Sequence, residues 1–225
     1  MVKKIKYECG CATNIGNSRK VNQDAVICKS AVIDEKSFCM MAVCDGVGGL
    51  EHSELASLYL IEKMREWFDE IIQWKEFTDS PELMFSNLKD AAESWNEGIC
   101  QLALSNNIKT GSTMSVFLAM SDTYYILHVG DSRIYRFDGG LKQITADQTV
   151  TKYKAGVLRN YLGNYMGKSE ELWFEISNGR IREGDIFLCC SDGFYHYFTM
   201  RDAMDISRSI KKAIYRLCAM NLSIL

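Results

Sequence analysis

The sequence predicts an α+β fold built on antiparallel sheets. Three observations carry this: strand patterns come in blocks, two long helical patterns lie between the blocks, and no regular strand-helix alternation calls for a parallel sheet. Strand patterning covers residues 4–12 and 24–44 and ends in the apolar run "FCMMAVC", short enough for a buried strand. The period then changes. Leu60, Ile61, Met64, Trp67, Phe68, Ile71 and Ile72 recur at three and four positions, as on one face of a helix. Ser80 and Pro81 supply an N-cap and a first helical position for a second helix, with Met84, Leu88, Ala91, Trp95, Ile99 and Leu102 along its core face. After Gly111 the pattern returns to strands, "STMSVFLAM", "TYYILHVG" and "SRIYRF", and Asp138-Gly139-Gly140 forms a hairpin turn before "LKQITA". Residues 172–177 and 186–191 add two strands, residues 201–218 read as helix, and "NLSIL" as a final short strand.

The 225 residues, 47% hydrophobic and 24% charged, fit one soluble domain spanning 1–225. One proline and no Gly/Ser-rich or single-sign charged run leave no linker to separate a second domain. A net charge of −3 gives no basic footprint for nucleic acid. The start "MVKKIKYECG" lacks the apolar core of a signal peptide, and no run reaches the roughly 18 apolar residues of a membrane span, so the expected location is the cytoplasm, with no membrane partner. Nine cysteines in such a chain are expected as reduced thiols, and with His52, His128 and His196 they keep no zinc-ligand spacing.

Four acidic residues stand at strand ends or tight turns: Asp24 in "RKVNQD", Asp45 in "CDGVGG", Asp131 in "HVGDSR" and Asp192 in "CSDG". Taken singly, each is explained as a turn residue whose carboxylate satisfies local N–H groups. Two Asp-Gly pairs and a Gly-Asp-Ser-Arg, each closing an apolar strand, point instead to oxygen ligands for a hard ion such as Mg or Mn. The "GVGG" segment lacks the Lys-Ser/Thr ending of a phosphate-binding P-loop.

An ordered set of motifs completes the picture: Arg19-x-x-Asn22-Gln23-Asp24, Asp45-Gly46-x-Gly48-Gly49 with Glu54 and Ala56-Ser57, Gly111-Ser112-Thr113, Val129-Gly130-Asp131-Ser132-Arg133-x-Tyr135-Arg136, Ile144-Thr145-x-Asp147, and Gly184-Asp185 leading into Cys190-Ser191-Asp192-Gly193. In this order they resemble the metal-dependent Ser/Thr protein phosphatases of the PPM, or type 2C, family, in a compact bacterial form, nearly end to end. The resemblance implies an antiparallel β-sandwich flanked by helices, in α-β-β-α layers. It implies hydrolysis of phosphoserine and phosphothreonine in proteins, the products of a Ser/Thr kinase, by a hydroxide bridging two Mg or Mn ions about 3.5 to 4 Å apart. Asp45 would bridge the ions, the Gly46 carbonyl and Asp192 would each complete one shell, Asp24 would hold metal-bound water and Arg19 would grip the phosphate. Asp131 either holds a third, weaker ion or caps the turn between two strands.

The chain departs from the family pattern in places. Met220 stands before Asn221 where the family has a further Asp ligand, and a thioether is a poor partner for a hard ion. That substitution motivates an alternative reading, a catalytically impaired phosphatase-like module that binds phosphoproteins. Asp202 and Asp205 read as solvated helix residues rather than substitutes. The flap between Asp147 and Gly167 is abbreviated, the region before the C-terminus is short, Gln148 replaces a His on the expected substrate side, and Leu50 and Ser53 replace a His and a Gly. His196 reads as a packing or surface residue, and Cys44 and Cys190, beside the expected ligands, as core.

Overall fold

A computed structural model describes residues 5–17, 19–50, 52–138, 140–154, 157–168, 172–197, 201, 202, 205, 208 and 209. Its centre is a five-stranded antiparallel sheet. β1 (Asp24–Ile33) and β2 (Lys36–Asp45) form a hairpin whose two turn residues, Asp34 and Glu35, both take left-handed conformations with φ of 47° and 70°. Such a turn matches the twist of the flanking strands. β3 (Met114–Met120), β4 (Thr123–Val129) and β9 (Glu175–Arg180) continue the sheet in the order β1-β2-β3-β4-β9. A second sheet has the order β10 (Ile186–Cys190), β5 (Arg133–Phe137), β6 (Leu141–Gln143). β7 (Thr149–Lys154) and β8 (Val157–Leu162) pair only with each other.

The period-two alternation of the central strands divides their side chains between two cores. Phe38, Met40, Ala42 and Cys44 of β2, with Met114, Val116, Leu118, Tyr125, Leu127 and Val129, face the helices. Cys39, Phe117, Ala119, Tyr124 and Ile126 face the other way and meet Ile134, Phe187 and Cys189 of the second sheet. The Phe117 and Phe187 rings lie 4.5 Å apart at the centre of that sandwich. This is the predicted antiparallel β-sandwich flanked by helices.

The helix layer consists of α1 (Ser53–Ile71), the short α2 (Lys75–Asp79) and α3 (Pro81–Asn106). α1 begins seven residues before the apolar period becomes clear, because its first turn, with Ser53, Ala56 and Ser57 buried, packs on the glycine turn that follows β2. Ser80 caps α3 as expected, its hydroxyl accepting the Leu83 N–H at 3.3 Å, with Pro81 in the first turn. The Trp67 indole N–H donates to Asn87 Oδ1 at 2.7 Å and fastens α1 to α3.

Two expectations need correction. Residues 5–12 form no strand; the segment is tied by side chains instead, with Tyr7 Oη donating to the Ser121 carbonyl and Ser37 Oγ to the Ile5 carbonyl at 2.7 Å. The strand predicted over 172–177 begins at Glu175, because Leu172 and Phe174 turn into the helix-facing core. The flap also holds the β7-β8 hairpin, an element not anticipated from the sequence, where Thr, Lys, Arg and Asn alternate with Val, Leu and Tyr on both faces. Residues 201, 202, 205, 208 and 209 are helical, with Asp202 and Asp205 exposed, as expected. A short α4 (Asp192–Tyr195) follows β10. The rest of the helix predicted over 201–218, the final strand, Met220 and Asn221 lie outside the described residues. No helix among the described residues is long and apolar enough to cross a membrane.

Candidate active site

Asp45 is the last residue of β2, and its register partner across the hairpin is Asp24, the first residue of β1. Two carboxylates therefore start side by side at one end of the sheet. The Asp45 backbone is held on all sides: its N–H donates to Thr113 Oγ1 at 2.9 Å, and its carbonyl accepts the Thr113 N–H at 2.8 Å and the Ser112 hydroxyl at 3.1 Å. The chain then leaves through Gly46, whose N–H donates to the Gln23 carbonyl at 3.0 Å. A Cβ at Gly46 would lie 2.9 Å from Ser53 backbone and Cβ atoms, so only glycine lets the turn meet the start of α1 this closely. Ser53 in turn braces the turn by donating to the Val47 carbonyl at 2.9 Å.

Asp192 reaches the same place from the second sheet. Ser191, at the end of β10, donates its hydroxyl to Asp24 Oδ2 at 2.6 Å and so couples the two sheets beside the carboxylates. Asp131 follows β4 in the turn at Gly130. The four acids feel one another. Burial pushes the Asp45 carboxyl up to about 9, helped by Asp24, Asp192 and Asp131 in that order of Coulombic effect, and Asp24 also shares a hydrogen bond with it. Asp131 is pushed up to about 6 by burial and then by Asp192 and Asp147. The structure thus brings together all four predicted acids.

The cations nearby divide into two uses. Arg133 is committed: its guanidinium pairs with Asp147 through two bonds of 2.8 and 2.6 Å and lies over the Tyr195 ring at 3.7 Å. That stack holds α4 in place three residues from Asp192. Arg19 is exposed, and a Cβ at Gly48 would come within 3.4 Å of its guanidinium, which places it over the glycine turn after Asp45.

Behind the acids lies a buried hydroxyl and amide network that motif spacing did not reveal. Thr113 Oγ1 is 2.8 Å from Ser132 Oγ. Fully buried His128 meets Ser115 Oγ through Nδ1 at 2.8 Å and the Ala146 carbonyl through Nε2 at 3.2 Å, and burial lowers its pKa to about 4, so it is neutral. Gln148, expected on the substrate side, is instead buried in this network. Its Oε1 accepts the Gly130 N–H at 2.8 Å and the Asn164 amide at 2.7 Å, which fixes the turn carrying Asp131. Gln148→Ala should therefore lower unfolding free energy by about 2–3 kcal/mol, the usual cost of stranding a buried donor together with a lost side-chain contact. Urea denaturation measures this; a loss within experimental error of zero would deny Gln148 that role. His196 is exposed beside Tyr195, and burial pushes the Cys44 thiol well above its usual range and the Cys190 thiol up to about 12, in keeping with packing roles.

The donor set fits a hard divalent ion. Among the described residues no three His, Cys, Asp or Glu side chains close on a single point. Oxygen donors set at several strand ends suit an ion that keeps much of its water shell. Asp45, pressed by three other carboxylates, is a group whose charge a divalent ion would offset.

Known proteins resemble this chain in sequence and in fold. The chain is 26% identical over 225 residues to a putative protein phosphatase of Mycoplasma genitalium, covering 90% of this chain and 84% of that one. It is 24% identical over 231 residues to the protein phosphatase PhpP of Streptococcus pneumoniae, covering 90% and 85%. Among solved structures, the S. agalactiae serine/threonine phosphatase superposes with a TM-score of 0.69 at 21% identity over 87% of this chain and 84% of that one. The catalytic domain of the serine/threonine phosphatase PstP in complex with two manganese ions gives 0.61 at 23% identity, over 82% and 76%. The family model described as protein phosphatase 2C matches residues 15–220. That match over most of the chain means that the protein belongs to the protein phosphatase 2C family.

Proposed function

We propose that the protein is a metal-dependent protein serine/threonine phosphatase, a single domain over residues 1–225 acting in the cytoplasm on phosphoserine and phosphothreonine made by a Ser/Thr kinase. The observation that carries this reading is the mutual pressure of Asp24, Asp45, Asp131 and Asp192, four carboxylates from four separate segments converging where two sheets end. Asp45, the Gly46 carbonyl and Asp192 would hold two Mn or Mg ions, and Asp131 a third, weaker one. When bound, these ions supply Lewis acidity and a water acidic enough to act at neutral pH.

The chain's own residues do the rest. Asp24, oriented by the Ser191 hydroxyl, accepts a hydrogen bond from the attacking water and aligns it. Arg19, exposed over the glycine turn, offers its planar fork to two phosphate oxygens and holds phosphorus in line with that water while opposing the developing charge. The Asp45 carboxyl, protonated near neutral pH without a cation, gives up that proton as the cleft is loaded. The impaired-module reading rests on Met220 alone, and nothing at the described acids favours it.

The test is phosphate release from a phosphoserine peptide across micromolar to millimolar Mn and Mg. Metal-dependent turnover is expected, and its absence at every concentration would overturn the reading. Met220→Asp separates the alternative: a change in kcat/KM of less than about threefold is expected, whereas a gain of about tenfold or more would mean that the natural site is incomplete.

A further inference from the structure

Asp192 stands on a helix too short to hold itself. α4 is a single turn, Asp192–Tyr195, and none of its residues is buried. Its N-cap, Ser191, makes no side-chain cap bond, because the hydroxyl is spent on Asp24. Its second residue is Gly193, where an added Cβ would meet no atom within 4 Å. One turn of helix does not repay the entropy of its own nucleation, and a glycine inside it raises that cost. The direction in which the Asp192 carboxylate points therefore depends on contacts from elsewhere in the fold.

Tyr195 makes such a contact. Its half-buried ring lies against the Arg133 guanidinium, 3.7 Å from the ring centroid. Arg133 is a fixed platform. It donates to both Asp147 oxygens at 2.8 and 2.6 Å and to Tyr135 Oη at 3.1 Å, and Asp147 is itself held by Gln143 Nε2 at 3.0 Å. Arg133 starts β5 two residues after Asp131, and its register partner is Cys190, two residues before Asp192. The stack thus joins the turn that carries Asp131 to the helix that carries Asp192. A lone guanidinium at this point would repel an incoming cation, but the two-bonded Asp147 offsets its charge and leaves its face to the ring.

We propose that Tyr195 is a positioning residue for Asp192: its ring, seated on the fixed Arg133, sets the direction in which α4 presents the Asp192 carboxylate to a divalent ion. The inference rests on the reading of Asp192 as an ion ligand. The contact is made by the ring, so Phe serves in place of Tyr and an aliphatic residue does not. Without the ring α4 frays, the carboxylate spreads over several directions, and ion binding must restore the order that was lost. The cost then falls on affinity. A residue that only packed would change stability and leave the affinity of the folded chain as it was.

The experiment uses the full chain, its Tyr195→Leu and Tyr195→Phe variants, and two readouts that need no turnover. Calorimetric titration with manganese should show binding weakened about tenfold in Tyr195→Leu, the low end of the usual effect of removing a group that orients a ligand, and within about twofold of the natural chain in Tyr195→Phe. Amide hydrogen exchange of the metal-free chain should show faster exchange at His196, whose N–H donates to the Asp192 carbonyl, in Tyr195→Leu but not in Tyr195→Phe, with β10 unchanged in both. Unchanged manganese affinity in Tyr195→Leu would overturn the proposal, and so would unchanged exchange at His196 or an equal loss in the Phe variant. A natural chain that binds manganese without releasing phosphate would overturn the phosphatase reading and leave these comparisons standing. One that binds no manganese would overturn both.

Discussion

Asp45→Asn is expected to cut metal-dependent phosphate release by about a thousandfold or more while leaving the metal-free chain as stable as before, or more so. The two effects have one cause. Asp45 is half-buried at a strand end whose backbone is fully engaged, so the substitution keeps shape and hydrogen bonds while removing the charge. In the proposed mechanism, removing that charge takes away the central cation ligand, which is why activity is expected to collapse. In the metal-free chain the same charge is a burden, because Asp24, Asp192 and Asp131 all oppose it.

The burden has a definite pH dependence. The folded carboxyl is raised to about 9 from its ordinary value of 3.8, so the folded state holds a proton that the unfolded state has released throughout that window. The contribution to stability is complete below pH 3.8 and is lost as pH rises through about 9. Its slope is of order 1 kcal/mol per pH unit at most. Melts in a chelator at pH 6, 7, 8 and 9 should therefore show the natural chain losing Tm steadily and Asp45→Asn losing less. Manganese should reverse the loss, and its stabilising increment should grow with pH because the ion displaces the proton. Parallel slopes for the two chains would mean that Asp45 does not titrate as the cleft requires.

What the sequence made legible follows from how each feature is encoded. Asp45 and Asp192 stood out because each closes an apolar run and is followed by glycine, and both the run and the break are local. The Ser80-Pro81 start of α3 was equally local. Gln148 and the Thr113-Ser132 pair were not readable as a network, because their partners depend on how strands distant in sequence come into register. The Asp34-Glu35 turn lacks the Asn-Gly signature that marks a tight hairpin, although its backbone is left-handed at both residues. The β7-β8 hairpin has no buried face to impose alternation, so nothing in its hydropathy announces a strand.

Gly130→Ala tests whether that hidden support positions the acids. Gly130 has φ of 113°, where a side chain is strained, and an added Cβ would lie 2.6 Å from Thr113 Cγ2 and 2.7 Å from Thr113 Cβ. Backbone strain and overpacking together should cost about 3–5 kcal/mol. The direction of the push matters more than its size. Thr113 Oγ1 accepts the Asp45 N–H and touches Ser132, and the Gly130 N–H is the one Gln148 accepts, so relief of the clash must move Asp45, Asp131 or both. A variant that still folds should consequently show weaker manganese affinity as well as a lower urea midpoint with an unchanged m-value. Asp45→Asn, by contrast, should lose activity without losing stability. Thr113→Ser in the Gly130→Ala background removes the Cγ2 contact and keeps the hydroxyl, so it should restore part of the stability and part of the metal affinity together. If stability returns while metal affinity does not, Thr113 is a packing neighbour only and the Asp45 carboxylate is positioned by its strand alone.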